Sequence, residues 1–229
     1  MALQERQKEI LSILKENRTA NVRELSAKLY VSEMTVRRDL KEMHSLGLIE
    51  RNHGSVFLPE SAEDVSMFLR MTKNAKAKEI IATKALPVLP EFSTLFIDSS
   101  STALALAERM CLDFKTVITH NLQTALLLSK NEKTKLILLG GNLECNSVSA
   151  TGGWTVRQIK ECHFDLMIFS SSAVMGEDIY ERSFEQNEIK LAALAQSKKR
   201  ILLIDKSKFG ASGTYRLGSL KDFDAFVTD

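Results

Sequence analysis

With 229 residues, 44% of them apolar and 26% charged, the chain has the composition of an ordinary soluble protein and room for one medium domain and one small one. No apolar run approaches the length of a membrane span, and the charged start MALQERQKEI lacks the apolar core of a signal peptide, so a cytoplasmic protein with no membrane partner is expected. The formal charge of +2 lies wholly in residues 1–58, with 10 Lys+Arg against 8 Asp+Glu, while the remainder balances 21 against 21.

From the N-terminus, Leu3, Ile10, Ile13 and Leu14 recur at helical spacing as far as Glu16, and NRTA breaks the pattern. Asn21 and Glu24, three apart, form a capping-box pair that opens a second helix carrying Leu25 and Leu29 on one face. Tyr30 and Val31 turn into Ser32, an N-cap, and a third helix whose Val36, Leu40 and Met43 make an apolar face. Thr35, Arg37, Arg38 and Lys41 lie on its outward faces. Arg37 and Arg38 stand about 100° apart around the helix, so one can reach base edges while the other meets a phosphate. The third helix is expected to end at Gly47. Leu48-Ile49-Glu50 and Val56-Phe57-Leu58 flank a polar tip, a hairpin signal. Three helices and a hairpin predict a winged helix-turn-helix over residues 1–58, with Arg51 and His53 at the wing.

Pro59 to Asp64 is polar and acidic without periodicity, and residues 59–75 read as a linker. Helical spacing returns from Lys78 to Leu86 and stops at Pro87 and Pro90. From Ser93 onward strands at 94–98, 115–119, 135–140, 164–170 and 200–205 alternate with helices at 102–110, 122–129, 154–161 and 184–197. That alternation predicts an α/β effector domain over 76–229, built on a largely parallel sheet of buried strands covered on both faces. In such sheets ligands sit at the carboxyl ends of strands.

Those ends carry Asp98, Ser99, Ser100, Ser101 and Thr102 after the first strand, and Thr119, His120 and Asn121 after the second. Gly140 and Gly141 follow the third, and Lys206, Ser207 and Lys208 the last. Serine and asparagine cap many helices without any ligand. Several such turns with a lysine at one sheet edge point instead to an anion, most simply a phosphate. Because the body has no net charge, local amides, hydroxyls and Lys206 must hold it, and Arg70 and Lys78 could close over it. Catalysis by Asp98, Asp205, Glu185, Glu188 or Lys206 is the weaker reading: the two glutamates fit a solvent-facing stripe, and no serine has a recognisable His and acid partner. No catalytic residue, metal site or cofactor is assigned. Cys111, Cys145 and Cys162 lack CxxC spacing and read as reduced, mostly structural thiols.

Arg6, Ile10 and Leu14 with the SEMTVRRDL block, and the LIERNHG stretch after it, resemble the signature of the DeoR family of bacterial sugar-responsive repressors. The family's wing is Arg-x-His-Gly-Gly; Ser55 here replaces its second glycine. DSSST is similar to the family's Asp-x-Gly-Ser-Thr loop with Ser100 for glycine, and THN, LLGGN, DKSKFG and the helix FEQNEIKLAALAQSKK resemble its later motifs. The resemblance implies an effector domain related in fold to ribose-5-phosphate isomerase, a phosphorylated sugar as effector and double-stranded operator DNA as partner. An isomerase-like enzyme with a DNA-binding head is the alternative. Two heads on a repeated or inverted site would multiply affinity, so a homo-oligomer is expected. The family carries a further strand and helix after the position of Val227-Thr228-Asp229, so a truncated sheet edge is expected here.

Overall fold

The computed structural model describes residues 4–52, 54–58 and 66–229, and divides into a head through Leu69 and a body from Arg70. In the head, α1 (Glu5–Asn17) buries Ile10, Leu11 and Leu14. A short strand β1 (Thr19–Asn21) then leads into α2 (Val22–Leu29). The capping box forms: Asn21 Oδ1 accepts from the Glu24 amide at 2.9 Å, and the Glu24 carboxylate accepts from the Asn21 amide at 3.0 Å. Tyr30 ends α2 in the left-handed region, and Ser32 caps α3 (Glu33–Ser45). Val36, Leu40 and Met43 are fully buried against Ile10, Leu14, Leu25 and Leu48. The hairpin strands are β2 (Glu50–Asn52) and β3 (Ser55–Phe57), and Gly54 takes the positive φ the tip requires. One element differs from the sequence reading. NRTA was expected only as a break, yet β1 pairs with β3, because Ala20 opposite Val56 adds two more apolar side chains to the head's core. Leu3, His53 and the acidic stretch 59–64 lie outside the described residues.

Helix α4 (Met67–Thr72), inside the expected linker, spans the boundary between head and body, and α5 (Ala75–Ala85) follows it. Then follow β4 (Thr94–Ile97), α6 (Ser101–Ala107), β5 (Thr116–Thr119), α7 (Leu122–Leu128) and β6 (Lys135–Leu138). A small hairpin, β7 (Asn142–Glu144) and β8 (Ser149–Thr151), precedes α8 (Gly153–Lys160) and β9 (Phe164–Phe169). The chain closes with β10 (Ala173–Met175), β11 (Asp178–Glu181), α9 (Phe184–Ala195), β12 (Ser197–Leu203), β13 (Tyr215–Ser219) and β14 (Ala225–Val227).

Six of these strands form one parallel sheet in the order β14-β12-β9-β4-β5-β6. Alternation along the strands feeds two cores. Leu95, Ile97, Ile201 and Leu203 pack with α5, α6 and α7 on one face; Phe96, Leu202 and Ile204 pack with α8 and α9 on the other. β6 was expected buried but is the sheet edge, with Ile137 and Leu138 exposed. Cys111 and Cys145 are exposed free thiols and only Cys162 is half-buried, so the cysteines contribute little to the core.

The topology reverses between β4 and β9. From β4 the chain winds outward through β5 to β6, and from β9 it winds the opposite way through β12 to β14. The helices that leave these two neighbouring strands, α6 and α9, therefore cover opposite faces. In open α/β sheets the ligand crevice lies at such a reversal, here beyond the carboxyl ends of β4 and β9.

Candidate DNA-binding face and ligand crevice

On α3 the solvent face carries Met34, Arg37, Arg38 and Lys41, at the spacing that stacks side chains along one side of a helix. The buried side is pinned. Arg6 forms a two-pronged ion pair with Asp39, whose side chain is buried, and Gln7 donates to Glu42 at 3.0 Å. Arg6 and Asp39 therefore fix how α3 sits on α1, which leaves its other face free. Ser32 Oγ accepts from the Thr35 amide at 3.2 Å and lies 3.0 Å from Thr35 Oγ1, so both hydroxyls first serve the helix start. Arg37 is held by Glu33 at 2.7 Å, whereas Arg38 and Lys41 have no side-chain partner among the described residues. Arg51 is exposed on β2. Tyr30 and Met34, 94% and 79% exposed beside this face, were not anticipated; large apolar side chains left in water at the start of such a helix were the available signal.

In the crevice, Asp98 is wholly buried. Its Oδ1 accepts from the Ser100 amide at 3.0 Å and the Ser100 hydroxyl at 2.6 Å, and its Oδ2 accepts from the Ser170 amide at 3.2 Å. Lys190 of α9 lies 3.2 Å from Asp98 and 2.5 Å from Glu181, and donates to the Ser170 carbonyl at 2.6 Å. Burial alone would lower the Lys190 pKa; Glu181 and Asp98 outweigh it and hold the ammonium above its ordinary value. Ser99 donates to Gln186 at 2.7 Å, and Gln186 donates to Glu144 at 2.6 Å and to Ser149 at 3.0 Å. Hence α9, the β7–β8 hairpin and the DSSST loop share one hydrogen-bond network.

The anticipated residues divide. Ser100 caps α6, accepting from the Ala103 amide at 3.1 Å, so its hydroxyl is engaged at both ends. Thr119 donates to the Ile97 carbonyl at 2.8 Å. Asn121 caps α7 and donates to the Ser147 carbonyl at 3.0 Å, so its side chain is also spent. His120 is buried on Phe96, with Nδ1 2.8 Å from the Ala150 carbonyl and Nε2 without a partner; burial lowers its pKa and keeps it neutral. Gly141 serves packing, since a Cβ there would lie 2.6 Å from the Thr151 carbonyl oxygen; a Cβ at Gly140 would meet open space, and the Gly140 carbonyl accepts from Thr155 at 2.8 Å. Lys206 has an exposed side chain, and its amide donates to Asp229 at 2.8 Å. Glu185 and Glu188 are exposed on α9.

The neighbouring Lys208 is the lysine drawn inward. Burial lowers its pKa, and it interacts with Asp205, Arg182, Lys73 and Glu181. Lys78 is pushed down to about 8 by burial and by the nearby Lys208, Arg70 and Lys73, against the pull of Asp205. The Arg70 Nε is sealed from solvent with no partner; burial lowers the pKa of the guanidinium, opposed by Glu181, Asp98 and Glu144. Arg70, Lys78, Lys190 and Lys208 thus interact with Asp98, Glu144, Glu181 and Asp205, while Lys73 lowers the pKa of Lys78 and Lys208, and Arg182 that of Lys208. Among the described residues no cluster of His, Cys, Asp and Glu could hold a metal ion.

A winged helix-turn-helix head joined to an α/β body with a charged crevice at its topological switch point defines a ligand-responsive DNA-binding protein. The comparisons agree. Residues 6–62 match the DeoR-like helix-turn-helix domain and residues 73–229 the DeoR C terminal sensor domain. The chain belongs to the DeoR family of transcriptional regulators. It is 33% identical over 98% of its length to the HTH-type transcriptional regulator GolR of Listeria innocua, covering 90% of that protein. It is 31% identical to the lactose phosphotransferase system repressor of Streptococcus mutans, over all of this chain and 93% of that one. It is also 31% identical to the glycerol-3-phosphate regulon repressor of Escherichia coli, over 96% of this chain and 88% of that one. Among solved structures, ribose 5 phosphate isomerase A from Neisseria gonorrhoeae aligns over 61% of this chain and 55% of its own, with 16% identity and a TM-score of 0.42. No helix among the described residues is long and apolar enough to cross a membrane.

Proposed function

We propose that the chain is a cytoplasmic, homo-oligomeric repressor of a carbohydrate operon that lets go of its operator when a phosphorylated sugar fills the crevice. The observation that carries this reading is the gathering of Arg70, Lys73, Lys78, Arg182 and Lys208 beside the DSSST loop, whose Ser101 reaches the Arg70 carbonyl, with the Arg70 Nε sealed from solvent and unpartnered among the described residues. Arg70, Lys73, Lys78, Arg182 and Lys208 supply the attraction, and Ser101, Thr102 and the loop amides supply the directional bonds. Operator contacts fall to Ser32, Thr35, Arg37, Arg38 and Lys41 on α3 and to Arg51 and His53 of the wing. Two of the relatives are named as repressors, one of a lactose phosphotransferase system and one of a glycerol-3-phosphate regulon, and another as an L-fucose operon activator, which supports control of a carbohydrate operon.

A buried lysine between two carboxylates could also suggest an isomerase. Against that, every proton of the Lys190 ammonium has an acceptor, and both Asp98 oxygens already accept, so no free base faces a substrate. The test is thermal unfolding with a panel of triose, pentose and hexose phosphates, followed by assay for isomerised product. Stabilisation without turnover supports the sensor; a ligand at about 100 times its Kd adds about 2.7 kcal/mol. Turnover would make it an enzyme, and no stabilisation by any phosphate would remove the ligand assignment.

A further inference from the structure

Arg70 follows Leu69, a member of the head's core, and both lie on α4. The last carbonyls of a helix have no acceptor role within it and need outside donors. At this end of α4, Lys78 and Ser101 are among those donors. Lys78 Nζ donates to the Arg70 carbonyl and, at 2.5 Å, to the Lys73 carbonyl; Ser101 Oγ donates to the Arg70 carbonyl at 3.3 Å. Ser101 belongs to the DSSST loop, so the loop at the crevice also caps the end of α4.

A serine hydroxyl has one proton. At 3.3 Å its bond to the Arg70 carbonyl is long for an O–H···O contact, which is usually about 2.7–2.8 Å. A phosphoryl oxygen is charged, and such bonds are roughly twice as strong as neutral ones. A phosphate bound by the loop therefore wins that proton. At the other end of the same residue, the Arg70 Nε–H is buried without an acceptor beside Asp98, Glu144 and Glu181. An orphan buried donor costs free energy that a ligand oxygen would recover.

We propose that Arg70 is the residue that couples ligand to head: a phosphorylated ligand draws the Ser101 hydroxyl off the Arg70 carbonyl and gives the Arg70 Nε–H its missing acceptor, loosening the end of α4. This rests on the crevice being the phosphate site. Ligand binding thus removes the Ser101 tether from the Arg70 carbonyl and leaves that of Lys78. Because α4 continues into the residues packed in the head, its stability is the quantity the ligand changes.

Amide hydrogen exchange on the full chain tests this, with 20 mM inorganic phosphate against chloride at matched ionic strength. In the wild type, phosphate should slow exchange in residues 98–104 and speed it at least threefold in 67–74. In Ser101→Ala, 67–74 should already exchange fast and respond less than twofold. Arg70→Gln should weaken phosphate binding at least threefold, read from the concentration that protects 98–104. Protection of 98–104 with 67–74 unchanged or slowed would overturn the coupling while leaving the phosphate site intact. A wild-type-like response of 67–74 in Ser101→Ala, or unchanged phosphate affinity in Arg70→Gln, would likewise overturn it. No response in either segment would overturn the phosphate site and the coupling with it.

Discussion

Adjacent arginines on α3 do different work. Arg37 is already paired with Glu33, while Arg38, exposed on the same side of the helix as Met34 and Lys41, has no side-chain partner among the described residues. Arg38→Ala should cost about 1–3 kcal/mol of operator affinity if the guanidinium reads a guanine. Arg37→Ala should instead weaken specific and random DNA alike and lower the salt slope by about one. Anisotropy titrations against a duplex selected from a random library, repeated at several salt concentrations, separate the two. Equal affinity of both variants and wild type would refute the placement of DNA on α3. In the crevice, the Lys78 pKa of about 8 sets a pH dependence. The ammonium is charged below that value and lost above it, so phosphate affinity should fall severalfold between pH 7 and pH 9. Calorimetry at the two pH values would show it, and Lys78→Met should flatten the difference. The Ser100 hydroxyl, expected at the ligand, donates to Asp98 and accepts from the Ala103 amide at the α6 cap.

At the scale of elements, α1 and α3 are joined by Arg6 and Asp39. Asp39→Asn keeps the shape but removes the charge, and should lower stability by about 2 kcal/mol and operator affinity with it, although Asp39 touches no DNA. Chemical denaturation beside a binding titration would reveal both losses together. On α9, Lys190→Met would remove the ammonium that contacts both buried carboxylates, Asp98 and Glu181. A loss of about 3–5 kcal/mol is expected, and a urea midpoint equal to wild type would contradict the charge arrangement. The longer elements were legible because each strand of the main sheet is an apolar run and each helix an apolar stripe. β1 and β14 were not, since TAN and AFV are too short to show alternation. The polar members of α9 carried a usable signal that went unread. Gln186, Ile189, Lys190 and Ala193 fall on one helical face, and a lysine and glutamine on the side that packs inward mark a site.

For the whole molecule, chain order hid what the topology assembles. Net charge by segment gave residues 59–229 zero, while the fold brings Lys208 within reach of Arg182, Lys73, Lys78, Asp205 and Glu181. Residues separated by more than a hundred positions share one electrostatic field, which no local pattern reports. Head and body are then expected to act through linkage: a ligand that weakens operator binding must itself bind more weakly to the operator complex, by the same factor. The most direct measurement is operator affinity by fluorescence anisotropy, titrated with the sugar phosphate that most stabilises the free protein, alongside calorimetry of that ligand with and without operator. Release of the duplex at saturating ligand, with ligand affinity reduced by an equal factor on the DNA complex, is the expected result. Unchanged operator affinity at a ligand concentration that fully occupies the crevice would contradict the proposed switch.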